Sequence, residues 1–277
     1  MTNSQALEIA ICLDQNYIEP ARTLIESMRS HHAPGLLRVW LFHEGLSAVQ
    51  INQFAVQCDG WAEVHEVEVD VDLEQYFGGN DGWLPYQNRS VLFRILLPGR
   101  LRAIGLQRVL YVDCDVLCVG SLRPVARFDL NGSILGAVQD EFTPKLSSNG
   151  GIPGADVSED AAYFNSGVLL IDIEQWDALD VEGRALSYLK SVRGRQRFYD
   201  QDALNIACDG RWLPLDRSLN TMVTDPFESH LEIALESTRL VHFVGPHKPW
   251  DSSYFSGNRR TMYNLYRNAW KARELNS

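Results

Sequence analysis

The stretch RVLYVDCDVLCVGSL (108–122) decides the fold and points to a site. It opens with an unbroken apolar run, VLYV, which is typical of a strand covered on both faces. Two acids follow at once, Asp113 and Asp115, separated by one cysteine. In open α/β sheets, ligands bind at the carboxyl ends of the strands, where this pair falls. We therefore expect a buried strand that ends at a functional site.

The two acids admit more than one interpretation. Neighbouring carboxylates repel each other, which raises one pKa unless a cation intervenes. A divalent ion such as Mg²⁺ or Mn²⁺, bound also by the phosphate oxygens of a substrate, would remove that conflict. The alternative is a turn or helix cap in which backbone N–H groups satisfy one Asp. The spacing alone does not decide between them.

An apolar strand followed by D-x-D-V also resembles the nucleophile motif of haloacid-dehalogenase-type phosphatases. In that family the motif normally lies near the N-terminus and is followed by a paired-Asp metal motif. Here more than a hundred residues precede the acids, and no convincing G-D-x-x-x-D follows them. We keep the phosphatase as the weaker alternative.

Composition limits the function classes. The 277-residue chain carries a net charge of −11, which argues against a sequence-independent nucleic-acid binder. No secretory signal and no run of ~20 apolar residues is visible, so we expect a cytoplasmic protein. The five cysteines are odd in number and mostly lie in apolar runs, which predicts unpaired buried thiols. A zinc site from Cys114 and Cys118 lacks a second ligand pair.

Apolar runs of strand length alternate with helical patterns, which predicts an α/β fold. The expected strands are LEIAICLD, LLRVWLFH, RVLYVDCDVL, SILGAVQD, SGVLLIDI and RLVHFVG. The expected helices are PARTLIESMRS, AVQINQFAVQ, VLFRILLPGR, DVEGRALSYLKSV and QDALNIAC.

Three segments stand apart from this pattern. In VHEVEVDVDLE (64–74) acids alternate with apolar residues, which predicts a strand with one acidic face, solvated or able to ligate a cation. Segments 76–88 and 144–160 are rich in Gly, Ser, Asn, Asp and Pro. Connections of this length predict either substrate lids or plain surface loops.

Several motifs occur in a consistent order: FRILLP (93–98), the D-x-D, YFNSGVLLIDIEQW (163–176), YDQDALN (199–205) and HFVGPHKPW (242–250). Together they strongly resemble glycosyltransferase family 8, the retaining transferases that include glycogenin and the lipopolysaccharide galactosyl- and glucosyltransferases. The resemblance runs from CLDQNY (12–17) to KPW (248–250), so it covers nearly the whole chain. It implies a single α/β domain of the GT-A type, with a Rossmann-like nucleotide-binding mixed sheet flanked by helices.

The resemblance also indicates which residues would bind the metal ion and the nucleotide of the donor. Asp113, Asp115 and His242 would ligate Mn²⁺, with Mg²⁺ as the alternative ion. Lys248 would neutralise the diphosphate, and a glycine at 245 would let the backbone approach the phosphates. The uracil and ribose would be bound at the end of the first strand, by Asp14, Asn16 and Tyr17.

The resemblance also assigns the sugar-binding groups. Arg94 would lie near the donor sugar and Asp140 would bind sugar hydroxyls. The remaining groups around the transferred hexose would be Asn165, Ser166, Asp200, Gln201 and Asp202. The group nearest the anomeric carbon would be Gln201, an amide and a poor nucleophile, which favours attack by the acceptor from the face that the diphosphate leaves. Asp200 would be the nucleophile if a covalent intermediate forms.

The last segment, RRTMYNLYRNAWKAREL (259–275), predicts a basic helix with an aromatic stripe. It could lie on an anionic membrane surface, as in family members that act on lipid-linked acceptors, or pack on its own domain through the stripe. We therefore divide the chain into a GT-A domain at 1–257 and this helix at 258–277.

The sequence thus predicts a Mn²⁺-dependent retaining hexosyltransferase. It would move glucose or galactose from a UDP-sugar to a saccharide or lipid-linked saccharide, with no nucleic-acid partner. Peripheral contact with the inner face of the membrane is a further expectation. The alternative from another class is a catalytically inactive UDP-sugar-binding protein.

Overall fold

The computed structural model describes residues 6–73, 76, 89–154, 158, 160–192, 195, 197–224, 236–252, 254 and 257–275. The strands in this part of the chain are β1 (Leu7–Leu13), β2 (Leu37–His43), β3 (Glu63–Glu68), β4 (Arg108–Val112), β5 (Val116–Cys118), β6 (Leu135–Gln139), β7 (Phe164–Asp172), β8 (Trp212–Pro214), β9 (Thr221–Val223) and β10 (Leu240–Phe243). The α-helices are α1 (Ile18–Arg29), α2 (Ala48–Cys58), α3 (Phe93–Ala103), α4 (Ile173–Ala178), α5 (Val181–Val192), α6 (Tyr199–Cys208) and α7 (Asn258–Glu274). The predicted α/β alternation is therefore present.

Each of the three segments that stand apart in the sequence differs from expectation or lies wholly or partly outside the described residues. The acidic strand ends at Glu68, and 69–73 are not in a strand. Its ladder with β2 stops at the pair His43 and Glu68, where β2 itself ends. Of the two loops, 76–88 lies outside the described residues except for Tyr76, and 144–160 is described only in part.

The chain forms two compact units, each built from separated segments. The first unit comprises Met1–Glu68, Val112–Phe128 and Asp216–Ser277. The second comprises Val69–Tyr111 and Asp129–Leu215.

The first unit begins with a Rossmann-like β-α-β-α-β succession. Strands β1, β2 and β3 lie parallel in the order β3-β2-β1, with α1 and α2 as the connections. Strand β1 is buried along almost its whole length, which explains its continuous apolar run. Because the strand ends at Leu13, it delivers the segment that begins with Asp14 to the carboxyl end of the sheet.

A second, three-stranded sheet of the first unit has the order β5-β10-β9. Strand β10 runs antiparallel to β5 and parallel to β9. In register, His242 lies opposite Val116 on one side and opposite Met222 on the other. His242 is therefore held beside the residue that follows Asp115, although the two are distant in sequence.

The C-terminal helix α7 packs on α1 through its aromatic face. Tyr263 is 1% exposed and Trp270 is 5% exposed. The Trp270 indole N–H donates to Thr23 Oγ1 at 3.1 Å, and the Arg22 guanidinium lies 4.0 Å from the centre of the Trp270 ring. Lys271 pairs with Glu19 on α1 at 2.6 Å. These contacts favour the alternative in which the stripe packs on its own domain.

The second unit contains strands in the order β4-β7-β6-β8, with α3 to α6 around them. Strands β6 and β7 are antiparallel, whereas β6 and β8 are parallel, so the pairing is mixed. Strand β7 is buried at eight of its nine positions. It leads directly into the cap of α4, where the Asp172 carboxylate accepts the N–H of Gln175.

All five cysteines are buried and free, as predicted. Burial raises the pKa of the Cys58, Cys118 and Cys208 thiols to about 12, so these side chains stay protonated. Among the described residues, no helix has both the length and the apolar character needed to cross a bilayer.

Candidate functional site

The Asp113-Cys114-Asp115 segment is a turn between β4 and β5, where the sequence predicted one strand. The Val116 N–H donates to Asp113 O at 3.2 Å, which closes the turn. A turn was part of the alternative to a metal site, but the bond that closes this turn is made by the backbone O of Asp113 and not by its carboxylate. The carboxylates form part of a site.

The three ligands implied by the resemblance lie together in the first unit. One ligand atom each from Asp113, Asp115 and His242 lies within 4.8 Å of the others. His242 Nε2 is 3.2 Å from Asp115 Oδ1 and 3.9 Å from Asp113 Oδ2. Strands β5 and β10 impose this geometry because they pair next to these residues.

Lys248 joins the same cluster. Its ammonium donates to Asp115 Oδ2 at 2.5 Å and to Phe243 O at 2.6 Å. Burial raises the pKa of Asp115, but the charge of Lys248 and the polar contacts with Lys248 and His242 outweigh that effect and hold the pKa well below its usual range. The carboxylate is therefore ionised and acts as an acceptor only.

The donor set fits a divalent cation. Two carboxylates and one imidazole are ligands that Mn²⁺ accepts readily, and Mg²⁺ accepts the carboxylates. Asp115 Oδ1 is buried, and the described residues donate no well-directed hydrogen bond to it. A cation at this position would satisfy that oxygen, since an unpaired buried acceptor costs free energy.

The nucleotide-binding residues implied by the resemblance lie at the end of β1. Asp14 accepts the Asn16 N–H at 2.8 Å, so this pair forms a tight turn. The Tyr17 ring meets Trp250 edge-on, with ring centres 6.0 Å apart. That contact brings the two ends of the family match together in one unit.

Gly245 follows β10 with a φ of +87°, and nothing lies within 4 Å of where its Cβ would be. The backbone conformation therefore requires glycine, and the open space leaves room for a ligand to approach.

Most sugar-binding residues implied by the resemblance form one hydrogen-bonded network in the second unit. Asp140 Oδ1 accepts the N–H groups of Phe142 and Thr143 at 2.9 and 2.7 Å. Its other oxygen accepts Asn165 Nδ2 at 3.0 Å and Gln201 Nε2 at 3.2 Å. Asp140 is thus fixed in orientation before any ligand binds.

Hydrogen bonds and an ion pair fix the side chains of Gln201 and Asp200. The Ser166 N–H donates to Gln201 Oε1 at 2.9 Å, which fixes the amide orientation. The Ser166 hydroxyl donates to Asp200 Oδ2 at 2.7 Å, and Arg94 pairs with the same oxygen at 3.2 Å. The Arg94 guanidinium lies 4.8 Å from the centre of the Tyr111 ring.

Asp202 is a further residue of α6 that the resemblance places around the hexose, and that role stays a prediction. It is fully buried, and it accepts the Tyr163 hydroxyl at 2.7 Å and the Arg197 N–H at 2.9 Å. Burial and the charge of Asp202 raise the pKa of Tyr163, so Tyr163 remains a donor. These contacts hold the start of α6.

Among the described residues, Asn220 and Trp250 contact residues of the site and have no assignment from the sequence. Asn220 accepts a hydrogen bond from the His242 ring at 3.0 Å, and Trp250 braces Tyr17. Trp250 was visible within the KPW motif. Asn220 lies 22 residues before His242 in an unremarkable stretch and carries no sequence signal.

Comparison with solved structures identifies the fold. An active-site mutant of LgtC matches with a TM-score of 0.78 at 21% identity, over 95% of this chain and 96% of that chain. The glycosyltransferase GlyE from Streptococcus pneumoniae matches with a TM-score of 0.71 at 18% identity, over 97% of this chain and 64% of that chain. The protein therefore has the GT-A fold predicted for it, a single α/β domain with a mixed sheet.

Sequence comparison then gives the family. The profile described as Glycosyl transferase family 8 matches residues 8–253. The chain belongs to glycosyltransferase family 8, and the phosphatase alternative is excluded. We therefore describe the protein as a family 8 glycosyltransferase.

Two relatives show the range of the family. The lipopolysaccharide 1,2-glucosyltransferase of Escherichia coli is 27% identical over 90% of this chain and 74% of its own length. The lipopolysaccharide 1,3-galactosyltransferase of Salmonella typhimurium is 32% identical over 52% of this chain. The chain spans 44% of the length of that second relative.

Proposed function

We propose that this protein is a Mn²⁺-dependent retaining hexosyltransferase that uses a UDP-sugar as donor. The observation that carries the proposal is the cluster of Asp113, Asp115 and His242 with Lys248 against it. A cluster of two acids, one imidazole and one ammonium suits a metal ion together with a diphosphate.

The first unit would hold the nucleoside diphosphate. Bound at the cluster, a divalent ion would supply electrostatic stabilisation of the charge that builds on the leaving diphosphate. Lys248 would add a second positive charge to the same oxygens, and Gly245 would allow backbone approach. Tyr17 would contact the base, with Asp14 and Asn16 reading the uridine.

The second unit would bind sugar hydroxyls. Asp140 accepts and Asn165 donates, and both are fixed by hydrogen bonds before a ligand arrives. Such preorganised polar groups orient a ligand at little entropic cost. Arg94 would keep Asp200 and Ser166 in place through its ion pair and its bond to Ser166 O.

The network favours attack by the acceptor on the face that the diphosphate leaves. Gln201 is a poor nucleophile, and both ends of its amide are engaged. One oxygen of the Asp200 carboxylate is committed to Arg94 and Ser166. A covalent intermediate on Gln201, or on that oxygen of Asp200, would have to disrupt these contacts first.

The acceptor would be a saccharide or a lipid-linked saccharide, by analogy with the lipopolysaccharide enzymes among the relatives. Both glucosyl- and galactosyltransferases occur among them, which supports glucose or galactose as the donor hexose. The buried free thiols fit a cytoplasmic location, where cysteines stay reduced.

The test is release of UDP from UDP-glucose or UDP-galactose, with and without Mn²⁺, using water or oligosaccharides as acceptors. We expect Mn²⁺-dependent release by the wild type and loss of release in Asp113→Asn. The matched control is Asp59→Asn, an exposed position of the same unit. Release that ignores Mn²⁺, or survives in Asp113→Asn, contradicts the metal assignment. Tight UDP-sugar binding without any release supports the inactive binding protein instead.

A further inference from the structure

The imidazole of His242 has a second contact on the side away from the carboxylates. Its Nδ1 lies 3.0 Å from Asn220 Oδ1. Asn220 is fully buried and directly precedes β9, the strand that pairs with β10. The same pairing that fixes the backbone of His242 therefore fixes the backbone next to Asn220.

The chemistry of this contact determines where the ring carries its proton. An amide oxygen only accepts hydrogen bonds, so Nδ1 must be the nitrogen that donates. A neutral ring with its proton on Nδ1 offers the lone pair of Nε2. Nε2 is the nitrogen that faces Asp115 Oδ1 at 3.2 Å.

The opposite tautomer of His242 could not ligate a metal ion through Nε2. With the proton on Nε2, the ring would direct an N–H toward the carboxylates and could not ligate a metal. A hydrogen-bond partner on the other ring nitrogen is how proteins select the ligating tautomer and hold the ring in plane.

We infer that Asn220 is a positioning residue, which orients His242 and keeps its proton on Nδ1 so that Nε2 can ligate the metal. The inference rests on the proposed function, because it concerns the same cation. Asn220 itself does not touch substrate or metal.

Two substitutions distinguish the role of Asn220 as a hydrogen-bond acceptor from its role in filling space. Asn220→Leu has a similar shape but no acceptor, so we expect Mn²⁺ affinity to fall about 10- to 100-fold. Asn220→Asp keeps an acceptor on the same side, so we expect affinity equal to or tighter than that of the wild type. Mn²⁺ binding is measured on the full chain without nucleotide, by electron paramagnetic resonance and calorimetry.

A control and an independent readout exclude a general loss of structure. Thr23→Val removes a different buried hydrogen bond of the same unit, the one from Trp270, and should leave Mn²⁺ affinity unchanged. Nitrogen-15 chemical shifts of His242 in the metal-free protein should show the proton on Nδ1 in the wild type. In Asn220→Leu that preference should be reduced or lost.

The outcomes are distinct. If Asn220→Leu binds Mn²⁺ as the wild type does, or His242 in the wild type lacks a proton on Nδ1, the role of Asn220 is overturned and the proposed function stands. If Asn220→Asp loses affinity as much as Asn220→Leu, the acceptor argument is wrong. If the wild type binds no Mn²⁺ at all, the proposed function fails as well.

Discussion

Replacement of Lys248 by methionine should change stability, metal affinity and turnover in different directions. The Lys248 and Asp115 side chains are only 9% and 13% exposed, and their charged atoms are 2.5 Å apart. Removing one partner of a buried ion pair costs about 3–5 kcal/mol. We therefore expect the metal-free variant to lose about 4 kcal/mol, a large part of a typical total of roughly 5–15 kcal/mol.

Mn²⁺ affinity should rise in the same variant. In the wild type the ammonium already neutralises one of two carboxylates, and an arriving cation competes with it for Asp115. Without Lys248 the cation compensates a charge that is otherwise unpaired. Recovery of even a third of the lost ~4 kcal/mol corresponds to about a tenfold gain in affinity.

Turnover should nevertheless fall about 10²- to 10³-fold, the usual cost of removing one group that stabilises charge in the transition state. The assays are urea unfolding in EDTA, calorimetric titration of Mn²⁺ without nucleotide, and UDP release. If the metal-free variant proves unfolded, unfolding in excess Mn²⁺ still gives the stability difference.

Lys145→Met is the matched control for stability and metal affinity. Lys145 and Asp160 are 2.6 Å apart, but both side chains are well exposed. Exposed ion pairs contribute little, so this variant should unfold and bind Mn²⁺ as the wild type does. If Lys248→Met matches the control in both measurements, the reasoning about a buried, competing counter-charge is refuted.

Three further predictions concern the first unit. Trp250→Leu removes the edge contact with Tyr17, which contributes about 0.5–1.5 kcal/mol. The KM for UDP-sugar should therefore rise about two- to tenfold, with kcat nearly unchanged. A fall in kcat alone would contradict this prediction. His32 accepts the Leu122 N–H at 2.9 Å, and burial lowers the pKa of His32 below 6.5. The stability of the wild type should therefore fall as the pH drops below about 6.5. Urea unfolding of His32→Gln should not show this pH-dependent loss of stability. Trp270→Ala should cost about 3–5 kcal/mol in urea unfolding, because the ring is buried on α1; a loss below about 1 kcal/mol would show that α7 is not packed as described.

The helices and the long strands could be predicted because their signals are local. The six helices expected from the sequence begin and end within three residues of the observed positions. Strand β7 has nine residues, and its apolar run predicts it from the sequence. In each of these cases, the residues that form the element also carry its pattern.

The short elements could not be predicted because their partners define them. Strand β9 has three residues and exists through its pairing with β10. The acidic segment shows the opposite error. Its alternation continues past Glu68, and Val69 and Leu73 are indeed buried, but the strand stops where the ladder with β2 ends. Alternation of apolar and polar residues predicts which side chains are buried, but it does not predict where a strand has a hydrogen-bonded neighbour.

The site was predictable only as far as the family resemblance reached. Asp113 and Asp115 alone fitted a turn as well as a metal site, and the structure shows a turn that carries acids. Lys248 joins them from 133 residues away. Asp202 contacts Tyr163 and Arg197 in this chain, and its role around the sugar stays a prediction from the resemblance.

The pairing of β5 with β10 also has a consequence for biosynthesis. Asp115 and Lys248 are 133 residues apart, so at about 5–20 residues per second a ribosome needs roughly 7–27 s to produce the second after the first. During that interval the nascent chain carries two acids, while β5 still lacks its antiparallel partner. The metal cluster therefore assembles in one late step, and a nascent chain that stalls before β10 would lack His242 and Lys248 and could not complete it.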